Sequence, residues 1–474
     1  MSNLPEQNII AEFSVKQFAK RSLLLLLSLL VKLIAQIAVI YIYSRQLSII
    51  DYGNYQSVWL YTNVISVIGL FGLPSLLLSV PLQSIKHWII NNRNRFVAAI
   101  VLLNIIPFIY LLFLSNQFSH IERWLLIGLI IVQNFSIITE TIVIKKEKEK
   151  LVLLTNIIFN IGYLGWHIFI LQHTYSLQLL LIGLAVLFIV KTLILLAGYS
   201  RKKISIKDDK TIPVTSQWFF LGINDVLGII FKWVDKWIIL LLISVTRFAL
   251  YFNGSYEIPV FALMLGAVGN IMLVEMAKTG TEDTKKIKAL FNSSSLLLAA
   301  ITFPSFCFLL FYHTEFFTFI FSNKYADAIP VFLVSIFIIP VRITNYTALL
   351  QSQHKNNIIV KGSILDLTVA LVLMCVLYPL FKLPGLALAF VLSTYTQAFY
   401  YLWETAKILR QKITDFFPLL KLISIMVASV LITAIAYVLL KQLHVWWYAI
   451  GGVVVTIKLI ILLLYYYIKK ERQP

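Results

Sequence analysis

Runs of roughly 20 mostly apolar residues recur along this whole sequence, and about 20 residues is what an α-helix needs to cross the hydrocarbon core of a bilayer. A backbone in lipid must satisfy its own hydrogen bonds, so such runs span as helices. A β-barrel would instead show short alternating segments, and this chain does not. With 60% hydrophobic and 13% charged residues, against about 25% charged in an average soluble protein, the chain cannot hide its apolar surface in a soluble core.

The runs predict about fourteen helices and no soluble domain. The first seven cover Lys20–Tyr43, Tyr55–Val80, Phe96–Leu114, Trp124–Ile144, Leu151–Leu171, Leu177–Tyr199 and Val214–Ser244. The others cover Phe248–Ala277, Ala289–Tyr312, Ala328–Gln351, Ile358–Leu380, Leu386–Leu409, Phe416–Leu440 and Trp446–Ile468. The first run is too long for a signal peptide and is interrupted by Lys32, so it reads as a retained helix.

The formal net charge of +19 would raise nucleic acid in a soluble protein, but here the cations sit in alternate short loops. One set carries Lys86, Arg93 and Arg95; Lys145, Lys146, Lys148 and Lys150; Arg201 to Lys210; Lys278 to Lys288; Lys355 and Lys361; and Lys407, Arg410 and Lys412. The intervening loops hold one cation each: Arg45, Arg123, Arg247, Lys324, Lys382 and Lys441. The positive-inside rule then places both termini in the cytoplasm. Trp88, Trp124, Trp446 and Trp447 near run ends suit interfacial belts. Cys307 and Cys375 lie inside apolar runs, which argues against a disulfide framework.

The longest polar interruption, 200–212, divides the first twelve runs into six and six. Leu47-Ser48 followed by Gly53-Asn54-Tyr55 is echoed by Ile243-Ser244 followed by Ala249-Leu250-Tyr251. Repeats of six spans run parallel. The expected organisation is therefore a bundle over 1–199, a cytoplasmic linker over 200–212, a second bundle over 213–410 and an appended helix pair over 411–474.

Ionisable residues inside spans are costly, about 2.5–3.5 kcal/mol near a helix centre, and mark functional sites. Asp225, Lys232, Asp235 and Lys236 share one face of the seventh run. They read equally as a substrate-binding or switching wall and as a structural ion-pair stripe. Ser28, Lys32 and Gln36 recur at four-residue steps, with Lys32 too deep to reach the surface, which favours a cavity lining. Tyr52, Gln56, Trp59, Asn63 and Ser66 form a stripe fit either to bind sugars or to hold helices together. Arg342, following Pro340, suits a phosphate. Glu257 and Asp366 join Asp225 and Asp235 as candidates for ion coupling or switching, with structural pairing the competing reading. Lys191, Glu404, Lys421 and Lys458 lie nearer span ends and read as snorkelling or paired. No GxxxxGK[ST] run appears, no loop holds a paired-carboxylate or Ser/His site, and the histidines lack metal-ligand spacing. The expectation is a non-enzyme with neither cofactor nor metal.

Several short motifs together resemble the polysaccharide and O-antigen unit flippases. They are Ser48 to Gln56 with Gly72-Leu73-Pro74, Val234-Asp235-Lys236, Glu257-Ile258-Pro259, Asn323-Lys324-Tyr325, Pro340-Val341-Arg342 with Asn345-Tyr346, and Pro384-Gly385-Leu386-Ala387. They fall in that family's order across the first twelve spans; the chain departs from it at Ala249, usually glycine, and Lys236, often arginine. The resemblance implies two six-helix bundles around a central cavity, as in multidrug exporters of the same superfamily. It implies a bacterial inner-membrane protein that moves a polyprenyl-diphosphate-linked oligosaccharide outward by alternating access. Its partners would be that lipid-linked substrate and membrane lipids, with proton or sodium coupling and polysaccharide assembly proteins as further candidates. A cation-coupled drug exporter of the same fold and a membrane glycan polymerase or ligase are the alternatives.

Overall fold

A computed structural model of the chain describes residues 24, 27–114, 117–173, 175–198, 214–279, 283–353 and 355–471. The expected linker 200–212 and the cations Lys16, Lys20 and Arg472 lie outside these residues. Helices are the only regular structure among the described residues.

In chain order the helices are α1 (Leu27–Gln46), α2 (Ile49–Leu70), α3 (Leu73–Ser79), α4 (Leu82–Asn91), α5 (Arg93–Ile109), α6 (His120–Lys145), α7 (Glu149–Gln172), α8 (Leu177–Ala197) and α9 (Val214–Leu242). They continue with α10 (Val245–Gly254), α11 (Pro259–Thr279), α12 (Thr284–Phe311), α13 (His313–Phe321), α14 (Ile329–Ser335), α15 (Ala348–Ser352), α16 (Asn356–Leu409), α17 (Ile413–Phe416), α18 (Leu419–Leu440) and α19 (Val445–Glu471).

Several starts follow from capping chemistry. The Ser48 hydroxyl accepts from the Asp51 backbone N–H at 3.1 Å and so opens α2. Ser119 and Glu122 form a reciprocal capping box at α6.

Ten helices among the described residues are long and apolar enough to cross a membrane, or twelve when two bent pairs each count as one span. The longest, α16, is folded back on itself at Lys382, whose φ of 56° and ψ of −134° are not helical, so it supplies two crossings. Helix α9 has the length of a span but carries Asp225, Lys232, Asp235 and Lys236. The chain is an all-α polytopic membrane protein.

Four expectations change. The second span begins at Ile49 rather than Tyr55 and bends by 54° between α2 and α3. Phe71 (φ 41°) and Gly72 (φ 72°) make the bend, and Pro74, which lacks an N–H, restarts the helix. The eighth span likewise breaks between α10 and α11, by 52°. Residues 82–91, read as loop, form α4, whose Trp88 packs on Trp218 and Phe96. Arg342 lies beyond the 3-10 turn Ile336–Val341, not inside a continuous helix.

The chain forms two compact units that divide between Thr246 and Arg247. Helix α9, expected to open the second bundle, thus belongs to the first unit, where it packs against α2, α3 and α4. In that unit the apolar core gathers Leu73, Leu76, Ile85, Val214 and Trp218, while α8 packs on α6 and α7. In the second unit α12 is central, packed against α11, α18 and α19, with a core that includes Phe291, Leu298, Phe303 and Phe416.

Candidate functional site

The first unit holds a cavity of about 450 Å³ beside the α2–α3 bend. Its polar wall comes from three spans: Asn63 and Ser66 of α2, Gln133 of α6, and Asn224 and Asp225 of α9. Gly72 and Pro74 close one side. The bend touches α9 backbone to backbone, because a Cβ on Gly72 would meet the Gly222 nitrogen at 2.4 Å. One turn farther along each helix, Ser75 donates its hydroxyl hydrogen to Asp225 Oδ2 at 2.8 Å. The bend is thus held by a close approach and by a bond to a carboxylate in the cavity wall.

Lys32 lies on α1 of the same unit. At about 100° per residue, Ser28, Ala35, Val39 and Tyr43 mark the packed face of α1, and all four are buried. Lys32 projects from the middle of that face yet is exposed, while the exposed Leu30, Ile34, Ile37 and Tyr41 lie on the other side. A side chain exposed on a packed face opens into a gap between helices, not into lipid. Among the described residues Lys32 makes no hydrogen bond or ion pair. Glu140, Lys191 and Lys232 are within its electrostatic reach.

Lys232 repeats the pattern on α9. It shares a side with the buried Val214, Trp218 and Ile239, opposite the exposed Phe220, Ile223 and Leu242, and it lies one turn beyond Gly228 of the cavity wall. Its ammonium has the Trp233 ring at 5.7 Å and no ion pair among the described residues. Glu140, one turn past the wall residue Ile137, is by contrast fully engaged. Lys191 Nζ lies 2.7 Å from its Oε2, and Asn156 Nδ2 donates to its Oε1 at 2.9 Å. The same amide nitrogen donates to Ser28 Oγ at 2.7 Å. Two ammonium groups, Lys191 and Lys32, thus act on the one carboxylate of Glu140, and Lys232 adds a further positive charge near Lys32.

Of the other sequence candidates, Gln36 is exposed at the edge of the packed face of α1. Trp59 is half-buried against Tyr55 and Tyr163, and Asn63 bonds the Trp59 carbonyl at 2.8 Å while lining the cavity. Asp235 is buried and pairs with Lys236 at 3.1 Å. In the second unit, Arg342 forms an ion pair with Glu257, which lies in the break between α10 and α11. Asp366 sits half-buried on α16 beside Ser393. Sequence reasoning overlooked Glu140 and Asn156 and read Lys191 as snorkelling or paired; it is paired, with Glu140. The signal for Glu140 was an acid inside an apolar run, masked by its nearness to Lys145.

No family model and no curated protein sequence matches the chain. Solved structures do. The lipid II flippase MurJ in an inward closed conformation superposes with a TM-score of 0.66 at 14% identity, covering 94% of this chain and 100% of MurJ. An inward-facing multidrug resistance MATE family transporter of the MOP superfamily gives 0.57 at 14% identity, covering 80% of this chain and 94% of its own. An outward-facing MATE structure gives 0.56 at 12% identity, covering 83% and 95%. At these identities the likeness is one of fold: the chain has the fold shared by MurJ and the MATE transporters.

Proposed function

We propose that this chain is a flippase that moves an anionic, lipid-linked oligosaccharide across the bacterial cytoplasmic membrane by alternating access. The substrate is the repeat unit of a surface polysaccharide carried on polyprenyl diphosphate, and both termini of the flippase are cytoplasmic. The observation that carries this reading is the pair of unpaired ammonium groups, Lys32 and Lys232, on packed helix faces beside a polar cavity.

The physical problem calls for such a site. Each unpaired polar group of a sugar costs several kcal/mol in hydrocarbon, and a barrier of even roughly 30 kcal/mol limits the rate to about 10⁻⁹ per second. Lys32 and Lys232 offer countercharge to a diphosphate. Asn63, Ser66, Gln133 and Asn224 offer hydrogen bonds to sugar hydroxyls, while the lipid tail stays in the bilayer. Asp225, at the bend, is the carboxylate best placed for ion coupling. The ordered flippase-like motifs support the polysaccharide class, and the fold supports alternating access. Surplus positive charge near Lys32 disfavours a cationic drug as cargo.

The test is a sidedness assay in cells lacking the protein, with a probe that cannot cross the membrane. Lipid-linked oligosaccharide should accumulate on the cytoplasmic leaflet and return outward with the wild-type gene, but not with Lys32→Gln or Lys232→Gln protein that inserts normally. Normal outward display in the deletion strain would overturn the proposal. Loss of long polymers alone would point to a polymerase.

A further inference from the structure

Glu140 has two cations acting on it, Lys191 and Lys32, but it is bonded to only one of them. Lys191 holds Oε2 at 2.7 Å, and its ammonium is also seated 5.1 Å from the Phe159 ring centre. Asn156 uses one amide hydrogen on Oε1 and the other on Ser28, so the network ties α6, α7 and α8 to α1. Ser28 is one helical turn from Lys32. The network therefore sets the rotation of α1 about the residue that aims Lys32 at its gap, and it occupies the carboxylate that would otherwise claim Lys32.

We propose that Lys191 is a positioning residue: by holding Glu140 it keeps Lys32 open to the phosphates of an anionic lipid-linked substrate. The inference rests on the proposed function and names how its anion site is kept empty of internal carboxylate. A charge buried in a span cannot remain without a partner at little cost. Without the Lys191 ammonium, Glu140 takes Lys32 as its partner and closes the site from within.

The effects of substitution follow with opposite signs. Lys191→Met turns Glu140 towards Lys32 and weakens anion binding. Glu140→Gln removes the competitor and leaves binding at least as strong. The double variant lacks both charges, leaves Lys32 unclaimed and recovers binding. A merely structural role for the pair predicts the reverse, with the double variant no better than Lys191→Met.

The experiment is titration calorimetry of inorganic pyrophosphate into the purified full-length protein in nanodiscs. The expected result is a loss of affinity of at least tenfold in Lys191→Met, unchanged or tighter binding in Glu140→Gln, and return to within threefold of wild type in the double variant. Wild-type-like binding by Lys191→Met, or failure of the double variant to recover, overturns the inference and leaves the anion site standing. Absence of pyrophosphate binding by the wild type overturns the anion site itself, and this inference with it. Should Lys191→Met not fold, Glu140→Gln decides: weaker binding than wild type overturns the inference.

Discussion

Gly183 lies on α8 where a Cβ would come within 2.0 Å of the Trp166 indole of α7. In lipid, helices gain little from apolar contact with one another, so small residues that admit close packing carry the association. Trp166 is stacked on Phe169, with ring centres 5.4 Å apart, and cannot withdraw without disturbing that pair. Gly183→Ala should cost about 1–3 kcal/mol, the usual range for overpacking, and lower the thermal unfolding midpoint. An unchanged midpoint would show that the indole yields freely. Lysines at the same scale show the limit of residue type alone. Lys32 and Lys191 are both span lysines, but the sequence favoured a cavity role only for Lys32 and read Lys191 as snorkelling or paired. One is bonded to Glu140 and the other is not, because α8 rather than α1 brings its ammonium to the carboxylate. Arg342 is similar: its suitability for phosphate was legible, but its ion pair with Glu257 depends on the break between α10 and α11.

Among the elements, the α2–α3 pair behaves as two limbs joined at Phe71 and Gly72. Its α3 limb is held to α9 by the Gly72–Gly222 approach and the Ser75–Asp225 bond. A hydrogen bond to a charged group contributes about 1.5–3 kcal/mol. Ser75→Ala should therefore raise amide hydrogen exchange across Leu73–Ser79 by about tenfold or more if that limb opens locally, with little change in α7. Unaltered exchange in α3 would show that the glycine contact alone holds the limb. The starts at Ser48 and Ser119 rest on residues only three apart in sequence, yet the apolar runs placed these spans later, from Tyr55 and Trp124. The bend was not read: Gly72-Leu73-Pro74 fell inside one continuous run, and the contact with Gly222 lies far away in sequence. Helix α4 was missed because Lys86, Arg93 and Arg95 made residues 82–91 resemble a topological loop, while its apolar side finds Trp218 only in the folded unit.

At the scale of the whole molecule, the alternation of basic and sparsely charged loops predicts a side of the membrane for each connection. Single cysteines can test it in a background carrying Cys307→Ala and Cys375→Ala. Arg247→Cys and Lys441→Cys should react with an impermeant maleimide in intact cells, and Lys146→Cys and Lys288→Cys only after permeabilisation. Labelling of all four from outside, or a reversed pattern, would refute the orientation.

The sequence alone determined that this is an all-α membrane protein of many helical spans, because span length and apolarity are local properties that lipid enforces segment by segment. Loop charge likewise determined the expected orientation, since the membrane reads it one connection at a time. Only the tertiary structure decided that α9 packs with the first unit, that Asp225 holds α3, and that Glu140 is bonded to Lys191 while Lys32 is left open. These are pairings between helices distant in sequence. The low dielectric of the span makes each pairing strong, but which partners meet is set by how the helices pack.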